Sequence, residues 1–270
     1  MRARDIKLSL DAVGLLRPAF RVVEALRGRF NRSYWAGSPS GLAPDGLPVP
    51  PPHLAALVGN TGADAFLEAG REIARCIREV LAVDGVQPEG FRRLLDFGCG
   101  CGRVLRNWHT LPNTEVHGCD YNPKLVRWCE QNLRFARFST NAIRPPLVYP
   151  SGHFDFVYSF SVFTHLPAEL QQPWIDELRR VLHDGGYLLI TTHGPSYAGI
   201  LTDAERDAFT AGRLVVRYGS VAGSNLCAAF HPPAYVRDTL ASAFDILDYS
   251  STRVGQEFIL LRKRSGRSLS

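Results

Sequence analysis

The residues best suited to chemistry lie in LLDFGCGCGR, Leu94 to Arg103. An apolar run ends in Asp96, and Gly98, Gly100 and Gly102 follow at alternate positions. Glycines at that spacing let the chain turn sharply and let a ligand touch the backbone where a Cβ would collide. An acid just before such a turn can meet a positive or hydroxyl-bearing part of the same ligand. The pattern predicts a site for a nucleoside-like cofactor. Two phosphate-cradling readings fail on residues. The dinucleotide fingerprint G-x-G-x-x-G needs its third glycine where Arg103 stands, and the glycine falls one residue early, at Gly102. A P-loop needs Gly-Lys-Ser/Thr, and this stretch has no lysine.

A loop of this kind requires a strand before it and a helix after it. Short apolar strands alternate with helical periods from Phe91 onward. The expected strands are 93–97, 115–120, 138–140, 154–160 and 187–192, and the expected helices 102–110, 123–135 and 168–182. Such alternation argues for a mainly parallel, doubly wound sheet with helices on both faces. Pro195–Phe230 reads as an irregular insertion with one strand at 214–218. A helix is expected from Pro232–Pro233 to about 243. Strands at 244–249 and 257–261, joined through Gly255, suit an antiparallel edge pair. Upstream, Gly62–Asp84 has the period of one amphipathic helix, with Phe66, Ile73, Ile77, Val80 and Leu81 on its apolar side. Residues 1–33 also have helical spacing, and five prolines between Pro44 and Pro52 make a stiff connector. The domain plan is therefore a helical extension or lid over 1–90, a cofactor-binding α/β domain over 91–262 with its insertion at 195–230, and a basic tail at 263–270.

Composition narrows the class. The chain has 270 residues and is 45% hydrophobic, ample for one sizeable core. No run approaches the ~18–20 apolar residues of a membrane span. The N-terminus lacks a clean cleavage site and reads as retained, so a cytoplasmic location is expected. The net charge of +5 is concentrated at the ends. Residues 1–32 carry +5 and the segment after Leu261 carries +4, so the body between them is acidic by about four charges. That balance argues against a nucleic-acid partner. It leaves membrane-surface contact through residues 1–32 as a minor possibility. Cys99 and Cys101 sit inside the glycine loop without the two-residue gap of a zinc or redox motif. All six cysteines are expected to be free thiols, with no metal.

The string D-x-G-x-G-x-G after a first strand resembles motif I of the class I (Rossmann-like) S-adenosylmethionine-dependent methyltransferases. Four further segments carry the likeness: HGCDYNP at the second strand, Asn141 after the third, GHFDFVYSFSVFTHL at the fourth, and ELRRVLHDGGYLLITTHG through the fifth. The resemblance spans about Arg92–Thr192. It implies a seven-stranded sheet with an antiparallel edge strand and S-adenosylmethionine as cofactor. It places Asp96 near the cofactor's ammonium, and Gly98, Cys99 and Gly100 beside its methionine part. Asp120 falls on the ribose hydroxyls, Tyr121 on an adenine face, and Asn141 or Ala142 at the adenine edge. Gly102 and Ser159 complete the implied cofactor shell.

Methyl transfer is an in-line displacement, and an acceptor hydroxyl can need a base with a pKa near neutrality. His165, His193 and His231 follow the fourth strand, the fifth strand and the insertion, where such a base would stand. The Asp/Asn-Pro-Pro-aromatic signature of adenine- and glutamine-modifying methyltransferases is replaced by Ser159-Phe160-Ser161-Val162. The cysteine of RNA cytosine methyltransferases, the acidic metal cluster of catechol-type enzymes and the acid-rich site of aminopropyltransferases are also missing. A small metabolite methylated on oxygen or nitrogen is the substrate class that remains. A non-catalytic cofactor-binding partner protein, or an aminopropyltransferase-like enzyme on the same fold, is the alternative, and oligomeric state is not legible.

Overall fold

The computed structural model describes residues 42–59 and 62–265. The expected helix over 1–33 and the first part of the expected lid lie outside these residues. Seven strands form one sheet: β1 (Arg93–Phe97), β2 (Glu115–Asp120), β3 (Ala136–Thr140), β4 (Phe154–Ser159), β5 (Leu182–Thr192), β8 (Phe244–Arg253) and β9 (Gln256–Lys263). Their order is β3-β2-β1-β4-β5-β9-β8, parallel through β5 and antiparallel at β9 and β8. This is the expected doubly wound sheet. β6 (Val215–Arg217) and β7 (Ala228–Phe230) pair separately within the insertion.

Alternate residues along each central strand enter two cores. Leu95, Phe97, Val157, Leu188 and Ile190 pack on one face with helix α3 (Ala168–Val181). Leu94, Phe156, Tyr158, Leu189 and Leu260 pack on the other with α1 (Ala63–Leu81). The continuous apolar strands follow from that double burial. α2 (Pro123–Asn132) opens with Asn122, whose side chain accepts the Lys124 N–H at 3.1 Å, a standard N-cap.

Three segments depart from expectation. The expected helix at 102–110 is only a 3₁₀ turn, Leu105–Trp108. Gly100 and Gly102 hold left-handed φ values of 56° and 76°. The Asn107 amide then donates to the Arg103 and Val104 carbonyls at 3.3 and 2.9 Å, the oxygens a regular helix would offer to later N–H groups. The helix expected to end near 243 becomes a short α turn, Pro233–Tyr235, and a π turn, Val236–Leu240. The irregular insertion contains a helix, α4 (Asp203–Thr210), opened by a Thr202/Glu205 capping box.

The proline connector is pinned by one side chain. Arg106 is 1% exposed and grips Asp45 through Nε and Nη2 at 2.7 and 2.8 Å, with further bonds to the Pro48 and Leu47 carbonyls. Burial would raise the Asp45 carboxyl, but the Arg106 guanidinium and the Leu47 N–H more than reverse this and hold it below 3.8. Helix α1 docks alongside. Gly70 lies so close to the Arg103 carbonyl that no Cβ would fit between them. Connector, helix and glycine loop are thus one packed unit. Arg106→Leu strands Asp45 and two carbonyls, and is expected to cost about 3 kcal/mol in urea unfolding. Arg71→Ala, on the exposed face of α1, should change it by less than about 0.5 kcal/mol.

Candidate functional site

The sheet order reverses between β1 and β4, the point at which ligands bind in open α/β sheets. A cleft opens there beyond the C-terminal ends of β1 and β2, walled by the glycine loop. The loop's geometry follows from its hydrogen bonds. The Gly98 and Cys99 N–H groups both bond to the Cys119 carbonyl, at 2.8 and 2.9 Å. The Gly100 N–H bonds to Asp120 Oδ2 at 3.0 Å. Three amides that could have cradled a phosphate are therefore engaged with β2. A Cβ at Gly98 would overlap Val162, and one at Gly100 would overlap Val58, so both wall residues press directly on loop backbone.

Two carboxylates line this cleft, and neither makes an ion pair among the described residues. Asp96 is 3% exposed and accepts the Tyr158 hydroxyl at 2.7 Å, while Tyr158 accepts the Trp108 indole N–H at 2.9 Å. Burial raises its pKa to about 7, with the Tyr158 bond working against burial and the charge of Asp120 adding to it. Asp120 accepts the Gly100 N–H on one oxygen and the Asn122 N–H, at 2.8 Å, on the other. Burial raises it to about 6, against the pull of those two N–H groups. Each Asp120 oxygen retains acceptor capacity, so a diol could be held by both at once.

The cleft also contains Tyr121, Asn141 and Ala142. Asn141 donates its amide to the Ala142 carbonyl at 2.8 Å, and its Oδ1 is buried without a partner. An orphaned acceptor facing a cleft suits a ligand amino group. Opposite stands His165. Its Nδ1 lies 2.6 Å from the Cys227 carbonyl, an acceptor only, so Nδ1 carries the proton and Nε2 is a bare lone pair. Burial lowers its pKa, partly offset by that bond. Ser161 Oγ lies 3.5 Å from Nε2. Ser161 has a left-handed φ of 60°, and Thr191 Oγ1 and the Gln256 amide hold it there at 2.8 and 2.9 Å.

Asp96, Gly98, Cys99, Gly100, Asp120, Tyr121, Asn141, Ala142 and His165 are thus brought to one cleft. Four other candidates lie outside its wall. Gly102 packs against Leu133 of the turn after α2, and Ser159 is fully buried with its hydroxyl unpartnered. The His193 ring lies 4.1 Å from that of Tyr197, tilted by 36°, beside Phe230. His231 is fully buried, 3.3 Å from Gln171 Oε1. Gln171 donates both amide hydrogens, to the Phe163 and Leu166 carbonyls, so His231 must donate to it. That arrangement braces the turn Phe163–His165 from both sides. Val58, Arg103 and Ser161, which were not among the candidate site residues, also line the cleft, as does Asn225 of the insertion. Arg103 carried a signal as the residue in place of the fingerprint's third glycine. All six cysteines are free and buried. Among the described residues no group of side chains could hold a metal, and no helix is long and apolar enough to cross a membrane.

The chain resembles known proteins in sequence and in fold. A family model described as a methyltransferase domain matches residues 95–190. Malonyl-[acyl-carrier protein] O-methyltransferase of Paenibacillus sp. (strain JDR-2) is 29% identical over 116 residues, 38% of this chain and 40% of the relative. Methyltransferase str3 of Strobilurus tenacellus is 32% identical over 121 residues, 44% of this chain and 40% of the relative. The chain therefore spans about two fifths of the curated relatives it matches. The fold is shared with 1,6-didemethyltoxoflavin-N1-methyltransferase of Burkholderia thailandensis, solved with S-adenosylhomocysteine bound. That match has a TM-score of 0.52 at 16% identity and covers 81% of this chain and 92% of the other. Residues 95–190 match a methyltransferase domain, and the sheet has the fold of solved methyltransferases, one of them holding S-adenosylhomocysteine.

The raised Asp96 pKa has a consequence for stability. The folded protein keeps Asp96 protonated up to about pH 7, whereas the unfolded chain ionises it near 3.8. Its contribution is full below that lower value and is lost as pH rises through about 7. Asp96→Asn keeps an acceptor for Tyr158 and cannot ionise. It should raise the melting temperature relative to wild type more at pH 8 than at pH 4. Equal shifts at both pH values would contradict the assignment.

Proposed function

We propose that the chain is an S-adenosylmethionine-dependent methyltransferase that methylates oxygen or nitrogen of a small metabolite, with His165 as general base. One observation carries this reading: two buried carboxylates, neither in an ion pair among the described residues, flank a glycine loop whose amides are spent, and His165, with an unprotonated Nε2 beside Ser161, lines the same cleft. The residues suit the cofactor's parts. Asp96 would hold the ammonium, which would also stabilise its ionised form. Asp120 would accept both ribose hydroxyls, and the Asn141 Oδ1 would take the adenine amino group, with Tyr121 across the ring.

S-adenosylmethionine, when bound, supplies a methyl group activated on a sulfonium. The protein's part is to align the acceptor and remove its proton. His165 is neutral near pH 7 because burial lowers its pKa. Its fixed Nδ1–H···O bond aims Nε2 at the cleft, where it can take a proton from an acceptor hydroxyl or ammonium. Ser161 stands beside it as a hydroxyl that can orient the acceptor. The relatives' names, an O-methyltransferase and an N1-methyltransferase among them, support acceptors of both kinds. The acidic body disfavours a nucleic-acid substrate.

Labelled methyl incorporation from S-adenosylmethionine into a panel of small hydroxyl and amino compounds tests the reading. Product is expected with wild type, and His165→Ala should lower kcat by roughly 10²- to 10⁴-fold. The wild-type rate should fall on the acid side of pH 6.5 as Nε2 is protonated, and that limb should vanish in the variant. Methylation undiminished in His165→Ala would remove the base assignment. Binding of S-adenosylhomocysteine with no product from any acceptor would count against catalysis itself.

A further inference from the structure

Arg103 lies in a wall shared by two clefts. The cofactor cleft and a second, more open one beside it have Val58, Arg103, Phe160, Ser161 and Asn225 in common. The second is closed on its far side by α1, at Glu68, Glu72 and Ile73, and by the β8–β9 hairpin, at Val254 and Gln256. Arg103 is firmly placed. Its carbonyl accepts the Asn107 amide and has Gly70 of α1 packed against it. Its guanidinium carbon lies 5.7 Å from the Phe160 ring centre, and Phe160 is backed by Phe258 at 6.0 Å.

What distinguishes Arg103 is the absence of an anion. Arg106, three residues on, spends its guanidinium on Asp45 and two carbonyls. The Arg103 guanidinium has neither an ion pair nor a hydrogen bond among the described residues. The acids of the second cleft are engaged elsewhere, Glu68 with Arg71 and Glu72 with Arg75. Asp96 attracts Arg103 without touching it. Burial pulls the Arg103 pKa down, the condition that an anionic ligand would relieve.

We propose that Arg103 is a carboxylate receptor serving the wall between the two clefts. Its planar fork matches two carboxylate oxygens, and the Phe160 ring, 5.7 Å from its guanidinium carbon, holds the cation at the wall. A phosphate is disfavoured because the loop amides that would complete its shell are bonded to β2. The carboxylate has two sources, the amino-acid end of the cofactor or an acid group on the acceptor. In the first case Asp96 and Arg103 together read a zwitterion. The proposal rests on the S-adenosylmethionine reading above and deepens it.

Calorimetric titration of S-adenosylhomocysteine and its decarboxylated analogue, 5′-(3-aminopropylthio)-5′-deoxyadenosine, separates the sources. It is run on wild type, Arg103→Met and Arg103→Lys. If the cofactor supplies the carboxylate, wild type prefers S-adenosylhomocysteine by roughly 10- to 100-fold. Arg103→Met then erases the preference while binding the analogue as wild type does, which also shows that the site is folded. Arg103→Lys retains part of the preference, and decides the matter should the methionine variant unfold. If the acceptor supplies it, the preference is the same in all three proteins. Acetate or malonate then binds the S-adenosylhomocysteine-loaded wild type and not Arg103→Met. An unchanged preference with no Arg103-dependent carboxylate binding overturns the proposal. Failure of wild type to bind either nucleoside contradicts the cofactor reading instead. The carboxylate titration on unloaded protein then decides Arg103 by itself.

Discussion

The Asp120 carboxylate is the point on which the site depends. It closes β2, and its oxygens take the Gly100 and Asn122 N–H groups. One bond fixes the glycine loop after β1, and the other fixes the turn that starts α2. With the Cys119 carbonyl taking two further loop amides, β2 dictates the loop's shape before any ligand arrives. The loop then presents the gap left by its missing side chains rather than N–H donors. That difference separates a site for a nucleoside with an amino-acid tail from one for a pyrophosphate.

The same arrangement carries a cost. Asp96 and Asp120 are buried and near each other, and their pKa values of about 7 and about 6 record how poorly their buried surroundings stabilise both charges. Functional sites commonly hold such strain where a ligand relieves it. Here the relief would come from a cation near Asp96 and hydroxyls near Asp120. Stability is recovered nearby through neutral and paired groups. The Tyr158–Trp108 chain behind Asp96 and the Arg106–Asp45 clamp behind the loop are both fully hydrogen-bonded.

Much of this was legible in the residues. The glycine spacing, Asp96 and Asp120 are local signals, and alternation of strand and helix periods indicated a parallel sheet with buried faces. The insertion was read as irregular although Thr202 and Glu205 stand at capping-box spacing, a local signal for the helix they open. Other features depend on contacts across the fold. The helix after the loop is cut to a 3₁₀ turn by the Asn107 side chain, which propensity does not reveal. The three histidines look alike in sequence. They separate only when Cys227 comes 62 residues along the chain to His165, and Gln171 comes 60 residues to His231. Arg103 was visible as a departure from a glycine motif, but its exposure to two clefts required α1 and the β8–β9 hairpin to be in place.

Calorimetry of S-adenosylhomocysteine binding to wild type and Asp120→Ala tests the central claim most directly. The account predicts binding in the micromolar range, roughly −8 kcal/mol, that is lost in the variant while the fold is retained by circular dichroism. Wild-type protein that does not bind, or a variant that binds as tightly, would contradict it.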